Sequence, residues 1–281
     1  MNWFFYALLS AVFISVFSVL ARVFLKGKGD AVAFVFLIDF LSAFFLIPIV
    51  FLEQKYYRLD LNLLVFIIFV TLIYAVTDIL FIKARQMEEV STVSMVVQAG
   101  LVWSLFGGAI FFRESLLLNK IAGVCLIAAG NIVALWQGQG IKLSRGLKLL
   151  FLATLLFTVS SLIDKYMVGN VFSPALYKTF TFLITSFWIF CFMPNRVKRI
   201  KDELKLQKWT VVLTGLSFCL GIFFFIKALQ VGEASRVLPV QNISLILSVL
   251  AGIFILKEKE RLWQKIVGLL VVFIGVLCLT F

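Results

Sequence analysis

The sequence predicts an all-α membrane protein with ten transmembrane helices, arranged as two inverted five-helix repeats. The first observation behind this prediction is the composition, because the 281 residues are 63% hydrophobic and only 14% charged. Soluble domains are about 45–50% apolar and about 25% charged, and a soluble fold of this length would expose much of its apolar surface to water. The second observation is that the polar pattern of the first half recurs in the second half.

Ten apolar runs, each long enough to cross a bilayer, define the predicted spans. A hydrocarbon core about 30 Å thick requires about 20 apolar residues per helix. The runs cover residues 3–21, 31–52, 63–82, 90–112, 117–136, 146–168, 173–193, 209–229, 236–256 and 263–281. They lack the alternation of a membrane β-strand, so helices must satisfy the backbone hydrogen bonds in lipid. We expect an integral, multi-pass protein of the bacterial inner membrane.

The internal repeat is clearest where the third predicted span runs into the fourth. Residues 81–93, FIKARQMEEVSTV, match residues 225–237, FIKALQVGEASRV. Apolar segments often coincide by chance at Leu or Val, but seldom at charged residues such as Lys83 and Lys227. The match indicates that one ancestral unit was duplicated.

The duplication divides the chain into a first repeat, residues 1–137, and a second repeat, residues 138–281. Each repeat holds five predicted spans. Because five is an odd number, the second repeat is expected to enter the membrane upside down relative to the first. Inverted repeats are typical of secondary transporters that work by alternating access, with the solute site near the membrane midplane.

Basic residues are concentrated in the loops that follow the odd-numbered spans. These loops hold most of the 26 Lys and Arg residues, and the longest of them, residues 194–208, is basic and amphiphilic. The positive-inside rule predicts that these loops are cytoplasmic and that both termini lie outside the cytoplasm. The net charge is +12, and the basic residues lie in short breaks between apolar runs. We therefore expect them to contact the headgroups of membrane lipids, and we do not expect the protein to bind nucleic acid.

Two stretches resemble the drug/metabolite transporter superfamily, specifically its ten-span EamA type. They are GGAIFFRESLLLNKIAGVCLIAAGNIVAL, residues 107–135, and AGIFILKEKERLWQKIVGLLVVFIGVLCL, residues 251–279, with Glu114 and Glu258 as the most recognisable marks. The resemblance covers nearly the whole chain and implies carriers for amino acids and related metabolites, mostly exporters. It also implies cytoplasmic termini, in conflict with the charge distribution. Asp39 stands where similar proteins often carry an Arg in the second span.

Small residues at every fourth position predict close helix packing in spans four and nine, because they let helices approach in lipid. One interpretation makes these stripes the central contact between the two repeats. The stripes are Gly100, Ser104 and Gly108 in the first repeat, and Ser244, Ser248 and Gly252 in the second. Glycines seven residues apart in spans five and ten predict tightly packed scaffold helices. These glycines are Gly123, Gly130, Gly268 and Gly275.

Ionisable residues inside predicted spans are candidates for the solute or coupling-ion pathway, because a charge at membrane depth is costly without a partner or a function. Asp39 lies in the middle of span two, and Lys178 in span seven is a candidate counter-ion for it. Asp78 is a further candidate, whereas Asp164, next to Lys165, is expected at the interface. Two alternatives stay open for Asp39: a structural ion pair, or a carrier of protons or of the solute.

Aromatic and amide side chains complete the predicted pathway. Aromatic rings inside a span can wall a solute cavity and stack on a cationic amine, or they can pack against lipid. Amides can bond across helices or face a polar cavity. The aromatic candidates are Tyr74, Trp103 and Trp188, and the amide candidates are Gln98, Gln241 and Asn242.

Functional classes can be separated by what the sequence lacks. It contains no His, which excludes Ser–His and Cys–His nucleophile pairs and His-based metal sites. We therefore expect no enzyme, no cofactor and no metal. The leading hypothesis is a secondary transporter that exports a small metabolite such as an amino acid, with a proton or another ion as a candidate coupling partner. The alternatives are efflux of drugs or cationic compounds, a passive channel, and a membrane subunit without transport of its own.

Overall fold

The structure, a computed structural model, describes residues 2–280 with internal gaps. The internal residues outside the description are 26–28, 54–60, 98–99, 114–117, 137–143, 171, 242 and 256–261. The described residues form α-helices joined by short connections. Six of these helices are long and apolar enough to cross a membrane by length and composition, as an integral, multi-pass protein requires.

The helices follow one another in an order that reflects the duplication. They are α1 (Trp3–Leu25), α2 (Ala31–Glu53), α3 (Leu61–Met87), α4 (Val90–Val97), α5 (Gly100–Phe112), α6 (Leu118–Leu135), α7 (Arg145–Asn170), α8 (Pro174–Phe192), α9 (Arg196–Gln207), α10 (Thr210–Val231), α11 (Ala234–Gln241), α12 (Ile243–Phe254) and α13 (Leu262–Thr280). The six long apolar helices are α1, α2, α3, α7, α8 and α10, and shorter apolar stretches lie in α5, α6 and α13. The predicted fourth span corresponds to α4 and α5, and the predicted ninth span to α11 and α12.

Helix packing obeys the repeat. The helix α1 packs against α10, and the repeat-related α7 packs against α3. In the same way α1 contacts α12 while α7 contacts α5, and α4 contacts α12 while α11 contacts α5. Each of these contacts joins one half of the chain to the other, so the two repeats are interleaved.

The last helices of the two repeats, α6 and α13, approach each other closely at glycines. A Cβ atom at Gly130 would lie 2.7 Å from the backbone oxygen of Gly268, and a Cβ atom at Gly275 would lie 2.7 Å from the backbone oxygen of Gly123. Any side chain at Gly130 or Gly275 would therefore overlap with the facing backbone. Such small-residue contacts bring helices together in lipid, where no water is available to drive association.

The small-residue stripes also join the two repeats. A Cβ atom at Gly100 would lie 3.0 Å from side-chain atoms of both Thr154 and Thr158 in α7. In the other repeat, Ser248 Oγ lies 3.4 Å from Ser15 Oγ in α1. Each stripe thus packs on the first helix of the opposite repeat. The stripe residues Gly100, Ser104, Gly108, Ser244, Ser248 and Gly252 are all buried.

The amphiphilic segment between α8 and α10 forms the surface helix α9, which docks on the turn between α1 and α2. Arg199 Nη2 donates to Asp30 Oδ1 at 2.7 Å, and Glu203 Oε2 accepts from the Asp30 backbone N–H at 2.9 Å. Gln207 Nε2 donates to the Phe24 carbonyl at 3.2 Å. Since these α9 residues are four apart, they share one helix face, and that polar face is turned toward the protein.

Candidate functional site

A central cavity of about 120 Å³ lies where helices of both repeats meet. Its walls come from α1, α2, α3 and α4 of the first repeat and from α7, α8, α10, α11 and α12 of the second. Most lining side chains are apolar. The aromatic rings among them include Phe17, Phe81, Phe157, Phe182, Phe218 and Phe225. The charged groups are few, and they lie on α2, α3, α7 and α8.

Lys178 and Asp164 form a buried ion pair in the cavity wall. Lys178 Nζ lies 2.9 Å from Asp164 Oδ2, and 5% of each side chain is exposed. Tyr177 donates its hydroxyl hydrogen to Asp164 Oδ1 at 2.9 Å, and the Tyr74 hydroxyl donates to the same oxygen. The Lys178 ammonium also lies 4.5 Å from the centroid of the Tyr74 ring, a cation–π contact. Both carboxylate oxygens of Asp164 are therefore bonded within the protein.

This pairing corrects two expectations from the sequence. Asp164 is buried rather than interfacial, although its neighbour Lys165 suggested exposure, because successive helical residues point about 100° apart. Lys178 takes Asp164 as its ion-pair partner, and not Asp39, for which it was a candidate counter-ion. The sequence did not predict Asp164 as the partner, because Asp164 lies on α7 and hydropathy does not show which face of α7 is turned toward Lys178.

Asp39 is a buried carboxylate in the wall of the cavity. The residue is 1% exposed, and its Oδ2 atom has no partner among the described residues. Asp39 and Asp78 both line the cavity, and the charge of Lys178 acts on both. Because an unpartnered buried carboxylate is costly, a proton, the nearby ammonium or a bound solute must compensate its charge.

Arg85 brings a second cation to the cavity wall, although the sequence analysis did not select it. Its guanidinium carbon lies 5.3 Å from the centroid of the Phe17 ring, and its Nε has no hydrogen-bond partner in the described part of the chain. The Arg85 carbonyl accepts a hydrogen bond of 2.6 Å from Arg22, which ties this end of α3 to α1. The repeat could have pointed to Arg85, because the matching segments FIKARQ and FIKALQ differ only at this position, where the second repeat has Leu229.

The charged cavity residues break the repeat symmetry that governs helix packing. The match between residues 81–93 and 225–237 lies at the ends of α3 and α10, and it pairs Arg85 with Leu229. In the same register, Asp78 is paired with Ile222. Both mates are apolar, and Ile222 also lines the cavity. The scaffold is therefore duplicated while the charged site is not, and a solute meets chemically different groups on different sides of the cavity.

Two further polar candidates lie at the cavity, and two lie outside the described residues. Gln241 and Ser244 line the cavity and are buried, and Ser244 Oγ has no hydrogen-bond partner among the described residues. The candidates Gln98 and Asn242 fall in the segments that the structure does not describe. Gln241 and Ser244 thus add hydrogen-bonding groups from the second repeat to the cavity wall.

The structure corrects the expected positions of two tryptophans. Trp103 is 52% exposed on the outer surface of α5 and does not line the cavity. Trp188 donates from Nε1 to Thr71 Oγ1 at 3.3 Å and stacks on Phe192, so it packs between α3 and α8 instead of facing the cavity. A helix that is apolar on all sides carries no signal for its rotation, so the sequence could not decide between the cavity and the alternative of packing or lipid contact for these two rings.

The charges of the cavity determine what it can bind. The described lining residues include three carboxyl groups, of Asp39, Asp78 and Asp164, and two basic groups, of Arg85 and Lys178, so the formal net charge is −1 when all five are ionised. In the described ranges, no cluster of three or more His, Cys, Asp or Glu side chains has a geometry suited to a metal ion. The arrangement can hold a cationic or zwitterionic solute by ion pairing.

Comparison with known proteins identifies the family. The model of the EamA-like transporter family matches residues 1–136 and 144–281. A protein of Lactobacillus helveticus named "Putative sugar uptake protein" is 24% identical over 204 residues, which cover 69% of this chain and 71% of that protein. A crystal structure with 14% sequence identity shares the fold, with a TM-score of 0.69 over 98% of both chains. The chain is a multi-pass membrane transporter of small solutes, and it belongs to the EamA-like transporter family.

Proposed function

We propose that the protein is a secondary transporter that moves a small amphoteric metabolite, an amino acid or a related solute, by alternating access. The proposal includes ten spans in two inverted repeats, with export as the physiological direction. It rests on one observation: the cavity between the interleaved repeats contains a buried Asp39 carboxylate whose Oδ2 atom has no hydrogen-bond partner among the described residues. A cavity bounded by both repeats opens to alternate sides of the membrane when one repeat rocks against the other.

The charges of the cavity support an amphoteric solute. A solute ammonium group would pair with Asp39 and Asp78, whose charges Lys178 alone cannot balance because Asp164 already binds it. A solute carboxylate would pair with Arg85, whose Nε is unpaired among the described residues. Charge-assisted hydrogen bonds of this kind are stronger than neutral ones, particularly where water is excluded.

The size of the cavity supports a small metabolite over a drug. Pockets for drug-sized ligands enclose about 300–1,000 Å³, whereas this cavity has about 120 Å³. The multidrug alternative would require a much larger opening than this conformation offers. Efflux of a small cationic compound remains an outcome of the transport assay, since such a solute would need the carboxylates but not Arg85.

Polar contacts at both ends of α2 support a carrier over a passive channel. At the start of α2, Asp30 binds Arg199 of α9. At its end, Glu53 Oε1 lies 2.5 Å from Lys227 Nζ of α10. A carrier must close one side before it opens the other, and cross-helix ion pairs at opposite ends provide contacts that can break in turn.

A sugar is the second candidate solute, because the Lactobacillus relative bears the name of a sugar uptake protein. A neutral, hydroxyl-rich solute would accept and donate hydrogen bonds at Asp39, Asp78 and Gln241, and it would stack on the aromatic lining. It would have no use for the Arg85 guanidinium as an ion-pair partner. The two candidates therefore differ in their dependence on Arg85.

The test is solute counterflow in proteoliposomes with the wild type, Asp39→Asn and Arg85→Gln. For an amino-acid-like solute, both variants should lose most counterflow, because each removes one ionic contact worth about 1.5–3 kcal/mol, or more than tenfold in affinity. Lys83→Gln is the matched control, since Lys83 is exposed on the same helix two residues from Arg85. Counterflow of sugars alone, unaffected by Arg85→Gln, would favour the second candidate.

The same preparations distinguish a carrier from a channel. A carrier exchanges labelled solute faster when unlabelled solute is present on the opposite side, whereas a channel shows no such acceleration. A pH gradient imposed across the vesicles tests whether protons are coupled to transport. Loss of pH-driven accumulation in Asp39→Asn with exchange retained would assign a proton to this carboxyl group, and it would contradict the proposed ionic contact between Asp39 and the solute.

A further inference from the structure

An apolar groove of about 550 Å³ lies on the outside of the protein, between α2, the end of α9 and the start of α10. All its lining residues but one are apolar, among them Phe40, Leu41, Leu204 and Val212. The exception is Lys208. This groove shares no residue with the central cavity, and its volume lies in the range typical of small-molecule sites.

The docking of α9 explains why the groove exists. Its polar face is occupied by the turn between α1 and α2, through Arg199, Glu203 and Gln207. Leu204, one position past Glu203, points about 100° away from it around the helix axis and stays 42% exposed. Leu204 is thereby left at the edge of α9 that borders α2 and α10, whereas the charged residues Lys201, Asp202 and Lys205 of the same helix are exposed. The groove is therefore an apolar surface next to a charged one.

Lys208 stands at a backbone conformation that favours glycine. Its φ is 50° and its ψ is −128°, and its backbone N–H closes the end of α9 on the Leu204 carbonyl at 2.9 Å. A Gly at this turn would be less strained, since a Cβ atom is unfavourable at positive φ. Strained residues of this kind often mark a functional site, and a basic side chain is the feature that glycine could not supply.

The next residue indicates the depth of the groove in the membrane. Trp209 lines the groove and is 81% exposed. Tryptophans concentrate where acyl chains meet headgroups, because the indole ring is apolar and its N–H is polar. The apolar floor of the groove would then lie at acyl-chain depth, with Lys208 at headgroup depth beside the basic residues Lys201 and Lys205 of α9.

We propose that this groove binds an anionic phospholipid, with one acyl chain against Leu41, Leu204 and Val212 and the phosphate at Lys208. Charge complementarity selects an anionic headgroup over a zwitterionic one, and the apolar lining selects a lipid over free phosphate. The positive-inside rule predicts the cytoplasmic leaflet for this loop, the leaflet in which anionic lipids attract basic segments. The proposal does not depend on the identity of the transported solute.

The test measures lipid binding to the full-length protein in detergent, by native mass spectrometry and by the shift in Tm. Phosphatidylglycerol is compared with phosphatidylcholine carrying the same acyl chains, and with glycerol phosphate as a headgroup without chains. We expect phosphatidylglycerol to bind more tightly than phosphatidylcholine and glycerol phosphate to have no effect. Lys208→Gln should weaken phosphatidylglycerol binding about fivefold, because one basic residue near an anionic surface contributes about 1 kcal/mol.

Further variants separate the groove from general surface charge. Lys201→Gln, on the exposed side of α9, should leave phosphatidylglycerol affinity within about twofold of the wild type. Val212→Trp should fill the groove and weaken both lipids, and Leu204→Trp serves if that variant does not fold. Lys208→Gly should raise the Tm in lipid-free detergent, by relieving the backbone, yet lose the preference for phosphatidylglycerol.

Three results would overturn the proposal. Equal binding of phosphatidylglycerol and phosphatidylcholine would mean that the groove does not select an anionic headgroup. A full Tm shift from glycerol phosphate alone would mean a simple anion site without an acyl chain. Equal losses in Lys201→Gln and Lys208→Gln would mean that the charge of α9 acts as a whole and that the groove is not the binding site.

Discussion

Removing either charge of the buried Asp164–Lys178 pair should destabilise the protein, and by unequal amounts. Breaking a buried ion pair by removing one partner costs about 3–5 kcal/mol. Lys178→Met leaves Asp164 without its cation and also removes the positive charge that acts on Asp39 and Asp78, so we expect a loss near the upper end of that range. In Asp164→Asn, Lys178 keeps the other two carboxylates nearby, and the smaller loss expected is about 1–3 kcal/mol.

The double variant measures the pairing itself. Asp164→Asn combined with Lys178→Met should cost less than the sum of the single losses, by about 0.5–3 kcal/mol, because neither charge is then left without its partner. The matched control is the outer pair of Arg199 and Asp30, in which the side chains are 27% and 29% exposed. Exposed pairs contribute about 0–1 kcal/mol, so Arg199→Met should cost no more than about 1 kcal/mol.

The assay is reversible unfolding in mixed micelles of dodecyl maltoside and sodium dodecyl sulfate, followed by tryptophan fluorescence. All variants are compared at one detergent composition and one pH, since both affect the unfolding free energy. Additive single losses, within about 0.5 kcal/mol, would refute the pairing of Lys178 with Asp164. If Lys178→Met is as stable as the wild type, the buried carboxyl groups of Asp39, Asp78 and Asp164 do not need the charge of Lys178, and the reasoning above is refuted.

Three other predictions test the scaffold, the topology and the docking of α9. Gly130→Ala should lower stability by about 1–3 kcal/mol, because the new methyl group would lie 2.7 Å from the Gly268 carbonyl oxygen; an unchanged Tm would contradict the close approach of α6 and α13. A cysteine at Lys201, in a variant without native cysteines, should resist an impermeant thiol reagent in whole cells if positive-inside counting holds, whereas labelling would place both termini in the cytoplasm. Burial alone would raise the pKa of Asp30, but the hydrogen bond from Arg199, backbone N–H donors and the Arg199 charge together hold that pKa below its ordinary value of 3.8. The stabilisation is then fully present above pH 3.8 and is lost as the pH falls through the lower, folded-state pKa. The difference in stability between the wild type and Arg199→Met should therefore be constant from pH 7 to about 5 and vanish only below 3.8. Loss of this difference already at pH 5 would contradict the depressed pKa of Asp30.

The membrane class, the long apolar helices and the duplication could all be read from the sequence. Hydropathy is a local property, and a run such as residues 31–52 predicts a spanning helix wherever it sits; the structure has α2 at Ala31–Glu53. The repeat is equally local, since Lys83 and Lys227 match whatever their surroundings. Family membership followed from the same repeated segments and is confirmed by the match to the EamA-like transporter family.

The composition of the site could not be read in this way, because it depends on which way each apolar helix is rotated. Asp164 and Lys165 are neighbours in the sequence, yet Asp164 is buried in an ion pair with Lys178, whereas Lys165 Nζ lies over the Phe112 ring of α5. Trp103 was a candidate for the cavity, with lipid contact as the alternative, and it lies on the outer surface. A helix surrounded by lipid and by other helices is apolar on every side, so its sequence carries little information on the face it turns inward.

The sequence by itself determined a duplicated, multi-pass membrane protein and the identity of several ionisable residues at membrane depth, Asp39 foremost among them. Only the tertiary structure decided that Lys178 pairs with Asp164, that one oxygen of Asp39 has no hydrogen-bond partner in the described part of the chain, and that Arg85 lines the cavity. The physical reason is that spanning depends on the hydrophobicity of one segment, whereas a charge-balanced cavity depends on contacts between helices far apart in the chain.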